Sequence, residues 1–386
     1  MVLSLRRDRA ARGLTVAVAV AVFLGSWELL HHGRYARDQL SDIPVYEGYG
    51  FAMRNGLLPY RDIPVEYPPG ALPAFAAPTY AGGYAATFGW LMAACGAGCL
   101  VLAALAGARP EALGFLAVSP LLVGSLALSR FDFWPELFVV AGVAFLVRDR
   151  HRPAFAALGA AVATKLYALA LVPLALAWTW RRRGPRELGL ATACGVAVVA
   201  AALLPFAILA PDGLWRSVWG ESSRPLQVES LGAAVLMTFG HPTVISTHGS
   251  LNLAGQGALA TASTAVQLAA LAALWVAFAR GQAAPARLLR YAAACLCAFV
   301  ALGKVLSPQF LIWLVPLVPL VRGRRGLAAT VLLAGALATT QVFFPGRYWE
   351  YVFHRRLAWV VLARDLLLVA LLAVLSLPAR ARARSS

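Results

Sequence analysis

Apolar residues run through this chain in long blocks broken by short polar clusters, without strict alternation. Blocks such as GLTVAVAVAVFLGSWELL (13–30) and DLLLVALLAVLSL (365–377) are long enough to cross a membrane as helices. The absence of period-two patterning over such lengths excludes a transmembrane β-barrel. The pattern predicts an all-α polytopic protein forming one integral-membrane domain over residues 1–386. Spans are expected at 13–32, 82–107, 111–129, 131–147, 187–210, 256–279, 288–303, 308–321, 326–343 and 358–378. The apolar stretch 71–107 is too long for one span, and Gly82-Gly83 divides it, leaving 71–80 as a shallow or re-entrant piece. The run 153–180 has basic flanks at both ends and reads as a helical hairpin with its tip at Thr164-Lys165. The sum is about twelve crossings with both termini on one side. Two long polar segments remain, 34–70 and 211–255, and a shorter one at 344–357.

Composition agrees: 60% of residues are hydrophobic, 13% are charged, and the mean hydropathy is +0.71. The charge balance adds orientation. The net charge is +17, from 34 basic and 17 acidic residues. In a soluble domain that excess would suggest nucleic acid. Here the arginines gather at segment ends, in LRRDRAAR, RDRHR (148–152), RRRGPR (181–186), RGRR (322–325) and RARAR (380–384). This is the positive-inside pattern, so these ends are expected in the cytoplasm and nucleic acid is not expected as a partner. The first apolar run is too long for a cleaved signal and no small-x-small site follows it, so it reads as an uncleaved anchor. The five cysteines lie in apolar segments and imply neither a disulfide framework nor a metal site.

On this topology the outer side collects the acids and most of the tyrosines, tryptophans and histidines. Asp38, Asp42, Glu47, Asp62, Glu66, Asp132, Glu221, Glu229 and Glu350 all fall there, with Arg61, Arg130 and Arg224 among them. Asp38 and Glu47 read as solvated loop residues. Asp42 stands about ten residues past the first span, where a carboxylate at the membrane surface can act as general base on a hydroxyl while the other reactant stays in lipid. Pro68-Pro69 fixes the chain extended where it re-enters the bilayer, holding Tyr60, Asp62 and Glu66 in place. Only two lysines occur, Lys165 and Lys304, and both interrupt apolar segments. Each is either a snorkelling side chain or an ammonium set against a phosphate at the membrane edge. Arg130 and Asp132 are expected to pair with each other, with Arg130 a second phosphate candidate. Trp215 and Trp219 read equally as sugar-binding surface and as interfacial anchors. The acids are scattered, without HExxH or DxD, so no metal is expected. A nucleophile elbow and a regular charge ladder are also missing, against a serine hydrolase and a channel.

Several segments, in order, carry a resemblance: SDIPVYEGYGFAMRNGLLPYRDIPVEYPPG (41–70), SRFDFWPE, ATKLYALALVPL, SRPLQVESL (223–231) and GKVLSPQFLIWLVPL (303–317). Together they resemble the polyprenol-phosphate-mannose-dependent mannosyltransferases of glycosyltransferase family 87, of actinobacterial type and of the multi-spanning GT-C class. The Glu66-Tyr67-Pro68-Pro69 segment is also similar to the acidic, proline-paired loop of other lipid-linked sugar transferases.

The resemblance implies a GT-C-like bundle whose first outer loop is functional and carries the catalytic aspartate, which maps onto Asp42. It implies a polyprenyl-phosphate-linked sugar as donor and a lipid-linked or cell-envelope glycan as acceptor, without cofactor. Donor and acceptor contacts are then expected from Tyr46, Tyr60, Arg61, Asp62, Glu66, Arg130, Asp132, Lys165, Arg224, Gln227, Glu229, Lys304, Ser307 and Gln309. Two other readings use the same residues: a transporter or flippase of a lipid-linked sugar, and a transferase of a pentose from polyprenyl phosphate.

Overall fold

The computed structural model describes residues 2–37 and 40–377, so Asp38 and the RARAR tail lie outside the described residues, as does the side chain of Glu221. Among the described residues, seven helices are long and apolar enough to cross a membrane. The longest of these stretches, Leu166–Leu209, is two helices broken at Gly184, whose φ of +77° is open to glycine but costly for other residues. Shorter apolar segments Pro110–Val123, Phe133–Val147 and Pro308–Leu320, with helix His151–Thr164, complete a bundle of twelve passes among the described residues. The expected hairpin is present, turning at Thr164-Lys165, and 71–80 is a run of short helical turns. Proline opens several helices, Pro110, Pro285 and Pro308 among them, where its missing N–H breaks no helical bond.

Small residues set how closely the passes approach. Helix His151–Thr164 meets 185–209 through Gly159 and Gly195, each lying against the other helix's backbone where a methyl group would collide. Four of the five cysteines, Cys95, Cys99, Cys295 and Cys297, are buried in the helix packing, and all five are free.

The turns sort by charge. At one end of the bundle, Arg182 pairs with Asp149 at 2.5 Å, Arg152 with Glu187 at 2.9 Å, and Arg322 donates to the Gly107 carbonyl at 3.3 Å. The hydrogen-bonded Arg182 guanidinium holds the Asp149 carboxyl below its usual range. Helix Phe133–Val147 is 15 residues long, about 22 Å, so Asp132 at its start lies at the other end of the bundle from this arginine cluster.

At that other end the long polar segments are folded, not open loops. The first contains helix Ile43–Arg54. The second contains helices Pro211–Ser223 and Leu231–Phe239 and a two-stranded antiparallel hairpin, Val244–Thr247 with Ser250–Leu253. Its turn is His248-Gly249, both at positive φ, the conformation that matches strand twist in a two-residue hairpin. Residues 344–357 hold helix Tyr348–His354.

Candidate active site

Asp42 sits at the head of helix Ile43–Arg54. Its carbonyl accepts from the N–H groups of Val45 (3.0 Å) and Tyr46 (3.1 Å), but its side chain does not cap the helix. The carboxylate turns instead onto the Arg130 guanidinium, which also donates to the Leu40 carbonyl at 2.9 Å. Arg130 is buried, while the Asp42 side chain is 33% exposed. The Tyr46 hydroxyl donates to Asp42 at 3.3 Å, and its buried ring stacks on Phe75 at 4.6 Å. Tyr46 therefore positions Asp42. The expected Arg130–Asp132 ion pair is not formed. Two residues apart on a turn into a helix, the side chains diverge, Arg130 toward the first polar segment and Asp132 toward the bundle.

Asp132 is claimed by Lys165. The ammonium lies 2.8 Å from Asp132 Oδ1, and the Trp313 indole N–H donates to the same oxygen at 2.7 Å. Lys165 occupies an extended break (φ −158°, ψ 128°) between helix His151–Thr164 and the turn Leu166–Leu171, so its side chain leaves the bundle axis. Around the ammonium stand Phe131 at 4.9 Å, Trp313 at 5.1 Å, Phe310 at 5.4 Å and Tyr67 at 6.0 Å. Ring faces at these distances stabilise a cation. Trp313 is itself held between Tyr167 (3.9 Å) and Phe310 (4.1 Å), and the Tyr167 hydroxyl donates to buried Glu136 at 2.7 Å.

The segments 224–230 and 304–309 meet beside this group. The Gln227 N–H donates to the Lys304 carbonyl at 3.0 Å and its side-chain amide to Ser307 Oγ at 3.2 Å. The Gln309 side-chain oxygen, Oε1, is buried with no protein partner among the described residues. Glu229 is buried, accepts from the Tyr348 hydroxyl at 2.8 Å, and has its carboxyl pushed up to about 6 by burial. Its own carbonyl takes a 2.7 Å bond from Arg364, and the Val228 carbonyl one from Tyr351 at 2.5 Å. Lys304 is half-buried, and desolvation draws its ammonium below the usual lysine range.

A cleft of about 360 Å³ opens on the other side of Tyr67, between residues 60–66 and helix Pro211–Ser223. Arg61, Asp62, Glu66 and Arg224 line it with Arg216 and His248. Arg61 and Asp62 pair at 2.9 Å on the surface, and Arg61 lowers the Asp62 carboxyl. Arg224 donates to the His248 carbonyl at 2.9 Å. Tyr60 also borders this cleft. It is buried at positive φ (69°), and its hydroxyl donates to the Tyr67 carbonyl at 2.6 Å. Gly213 packs against the Tyr60 carbonyl where no side chain would fit. Trp215 and Trp219 stack on each other and are exposed, on a helix face other than that of the cleft-lining Gly213, Arg216, Ser217 and Gly220.

The structure thus joins Asp42, Tyr46 and Arg130 in one group, Asp132 and Lys165 in a second, and Gln227, Glu229, Lys304, Ser307 and Gln309 in a third. Tyr60, Arg61, Asp62, Glu66 and Arg224 stand apart at the cleft. Sequence reasoning missed Tyr67, Phe310, Trp313, Tyr348 and Arg364. The first three lie inside the quoted motifs, but aromatic residues are so common here that only contact with Lys165 distinguishes them.

The fold is that of a polytopic helical membrane protein, and the family match makes it a membrane glycosyltransferase. The chain belongs to glycosyltransferase family 87, whose model matches residues 66–308. The matched region holds Arg130, Asp132, Lys165, Gln227, Glu229, Lys304 and Ser307; it begins after Asp42 and Tyr46 and ends just before Gln309. The crystal structure of ArnT from Cupriavidus metallidurans bound to undecaprenyl phosphate is similar in fold. Its TM-score is 0.50 at 15% identity, over 94% of this chain and 76% of that one. No curated protein matches this chain.

Proposed function

We propose that the protein transfers a mannosyl group from polyprenyl-phosphate-mannose to a lipid-linked or cell-envelope glycan, at the extracytoplasmic face of the plasma membrane. The observation that carries this reading is the pairing of an accessible carboxylate, Asp42 on buried Arg130, with a second cation, Lys165, in an aromatic enclosure. The site lies at the bundle end away from the arginine clusters, and the positive-inside bias puts that end outside. Undecaprenyl phosphate in the similar ArnT structure supports a donor of the polyprenyl-phosphate class.

In this reading Asp42 accepts the proton of an acceptor hydroxyl as its oxygen bonds to the anomeric carbon. The bond from that carbon to the phosphate oxygen breaks, and polyprenyl phosphate leaves. Arg130 and Tyr46 fix the direction of the carboxylate. Lys165, with Lys304, offsets the charge that grows on the leaving phosphate, where a preorganised cation in a dry site is most effective. A single displacement inverts the anomeric centre. In this reading sugar hydroxyls are bound by Gln309 and Glu229, whose side chains each keep a buried oxygen without a protein partner among the described residues.

Asp42→Asn keeps the shape and one acceptor oxygen but removes the base. Transfer of labelled mannose from polyprenyl-phosphate-mannose should fall by about 10² to 10⁴, with insertion retained and the unfolding temperature lowered, because buried Arg130 loses its carboxylate. Near-normal turnover by the purified variant would remove Asp42 from the mechanism. The role of general base would then pass to Asp62 or Glu66 at the neighbouring cleft.

A further inference from the structure

A second cavity, of about 290 Å³, opens at the site end of the bundle between residues 34–35, the 125 turn and the last turns of helix Gly323–Phe343. Arg34 and Arg347 face it, and no carboxylate among the described residues lines it. Their protein contacts are modest: Arg34 donates to the Tyr35 hydroxyl at 3.3 Å, and Arg347 pairs at 3.2 Å with Glu350 outside the cavity. The wall between them is fixed, since the Gln341 amide donates to the Val123 carbonyl at 2.8 Å and the Tyr35 hydroxyl to that of Leu121 at 3.2 Å.

Two further observations say what kind of ligand fits. Exposed aromatic pairs adjoin both arginines in the chain: His31, three residues before Arg34, stacks on Trp90, and Trp349, two residues after Arg347, stacks on Phe353. Such residues mark the headgroup layer of a bilayer. From the cavity an apolar lane then runs down helix Gly323–Phe343. Val342, Val331 and Leu327 are exposed (45%, 61% and 69%), with Ala338 between them, at spacings of four, seven and four residues that keep them on one face. Two guanidinium groups at headgroup depth above a hydrocarbon-facing lane suit one chemistry.

We propose that this cavity binds the phosphate headgroup of an anionic lipid, with an acyl or prenyl chain lying along the 342–338–331–327 lane. The site is separate from the Asp42 and Lys165 groups, and its occupancy does not depend on which sugar is transferred.

Native mass spectrometry of the purified protein, titrated with dioleoyl-phosphatidylglycerol or dioleoyl-phosphatidylcholine, tests this. Phosphatidylglycerol should be retained in preference. Arg34→Gln/Arg347→Gln should lower its affinity about thirtyfold, taking each arginine at the strength of a basic residue beside an anionic membrane. Arg34→Lys/Arg347→Lys should keep most of it. Val342→Glu, which places a charge in the lane and leaves both arginines intact, should also weaken it and serves if the double glutamine variant does not fold. Inorganic phosphate should not displace the lipid, because it lacks the chain; displacement at millimolar phosphate would make this a soluble-anion site and overturn the lipid assignment. Equal retention of the two lipids by the wild type, or an unchanged preference in the variants, would overturn the proposal.

Discussion

Lys165→Met separates the structural from the chemical role of the aromatic enclosure. Methionine has nearly the length and bulk of the lysine stem, so the rings around it stay filled. What is lost is the ammonium 2.8 Å from Asp132, a carboxylate that is 1% exposed. Removing one partner of a buried pair costs about 3 to 5 kcal/mol. The Lys165 side chain is itself 16% exposed and the Trp313 N–H remains on Asp132, so the lower end, about 3 kcal/mol, is expected. Transfer should fall as well, because a charge-assisted contact to the departing phosphate is worth roughly 1.5–3 kcal/mol, tenfold or more in rate. The second variant decides the matter. In Lys165→Met/Asp132→Asn no buried carboxylate is left unpaired, so the unfolding temperature in detergent should recover most of the loss while transfer stays down. A single variant as stable as wild type would show that the pair contributes nothing to the fold. Wild-type turnover in the double variant would refute the phosphate role.

Glu229 supplies a pH test. Burial raises its carboxyl from 4.5 to about 6, so the fold favours the protonated form. This contribution is full below pH 4.5 and lost as pH rises through 6, a change of about 2 kcal/mol. The wild-type unfolding temperature should therefore drop across that window relative to Glu229→Gln, and parallel profiles would contradict the assignment. Sidedness is checked with single cysteines in a cysteine-free background. Asn55→Cys and Gly346→Cys should react with a membrane-impermeant thiol reagent on intact spheroplasts, and Arg150→Cys, Arg183→Cys and Arg324→Cys only after lysis. Reversal would place the Asp42 site in the cytoplasm and end the proposed use of an outward-facing lipid-linked donor.

The hydrophobic pattern by itself determined the class, the passes and the arginine-rich end. In a bilayer the only solvent that matters to a helix surface is lipid, so length and polarity translate directly into spans. The turn at Thr164-Lys165 and the division at Gly82-Gly83 were legible for the same reason, because a charged or glycine-rich break in an apolar run has few other uses. The motifs that belong together were also legible, as a set. Which side chain meets which was not. Arg130 and Asp132 are neighbours in sequence, yet pair with Asp42 and Lys165, from segments 88 and 33 residues away. Helix Ile43–Arg54 and the 244–253 hairpin were hidden because their apolar faces are short and covered by the rest of the protein instead of lipid. Ion pairs across a bundle depend on how helices rotate and how close they come, and that is set by packing at places such as Gly159 and Gly195. Only the tertiary structure decides it.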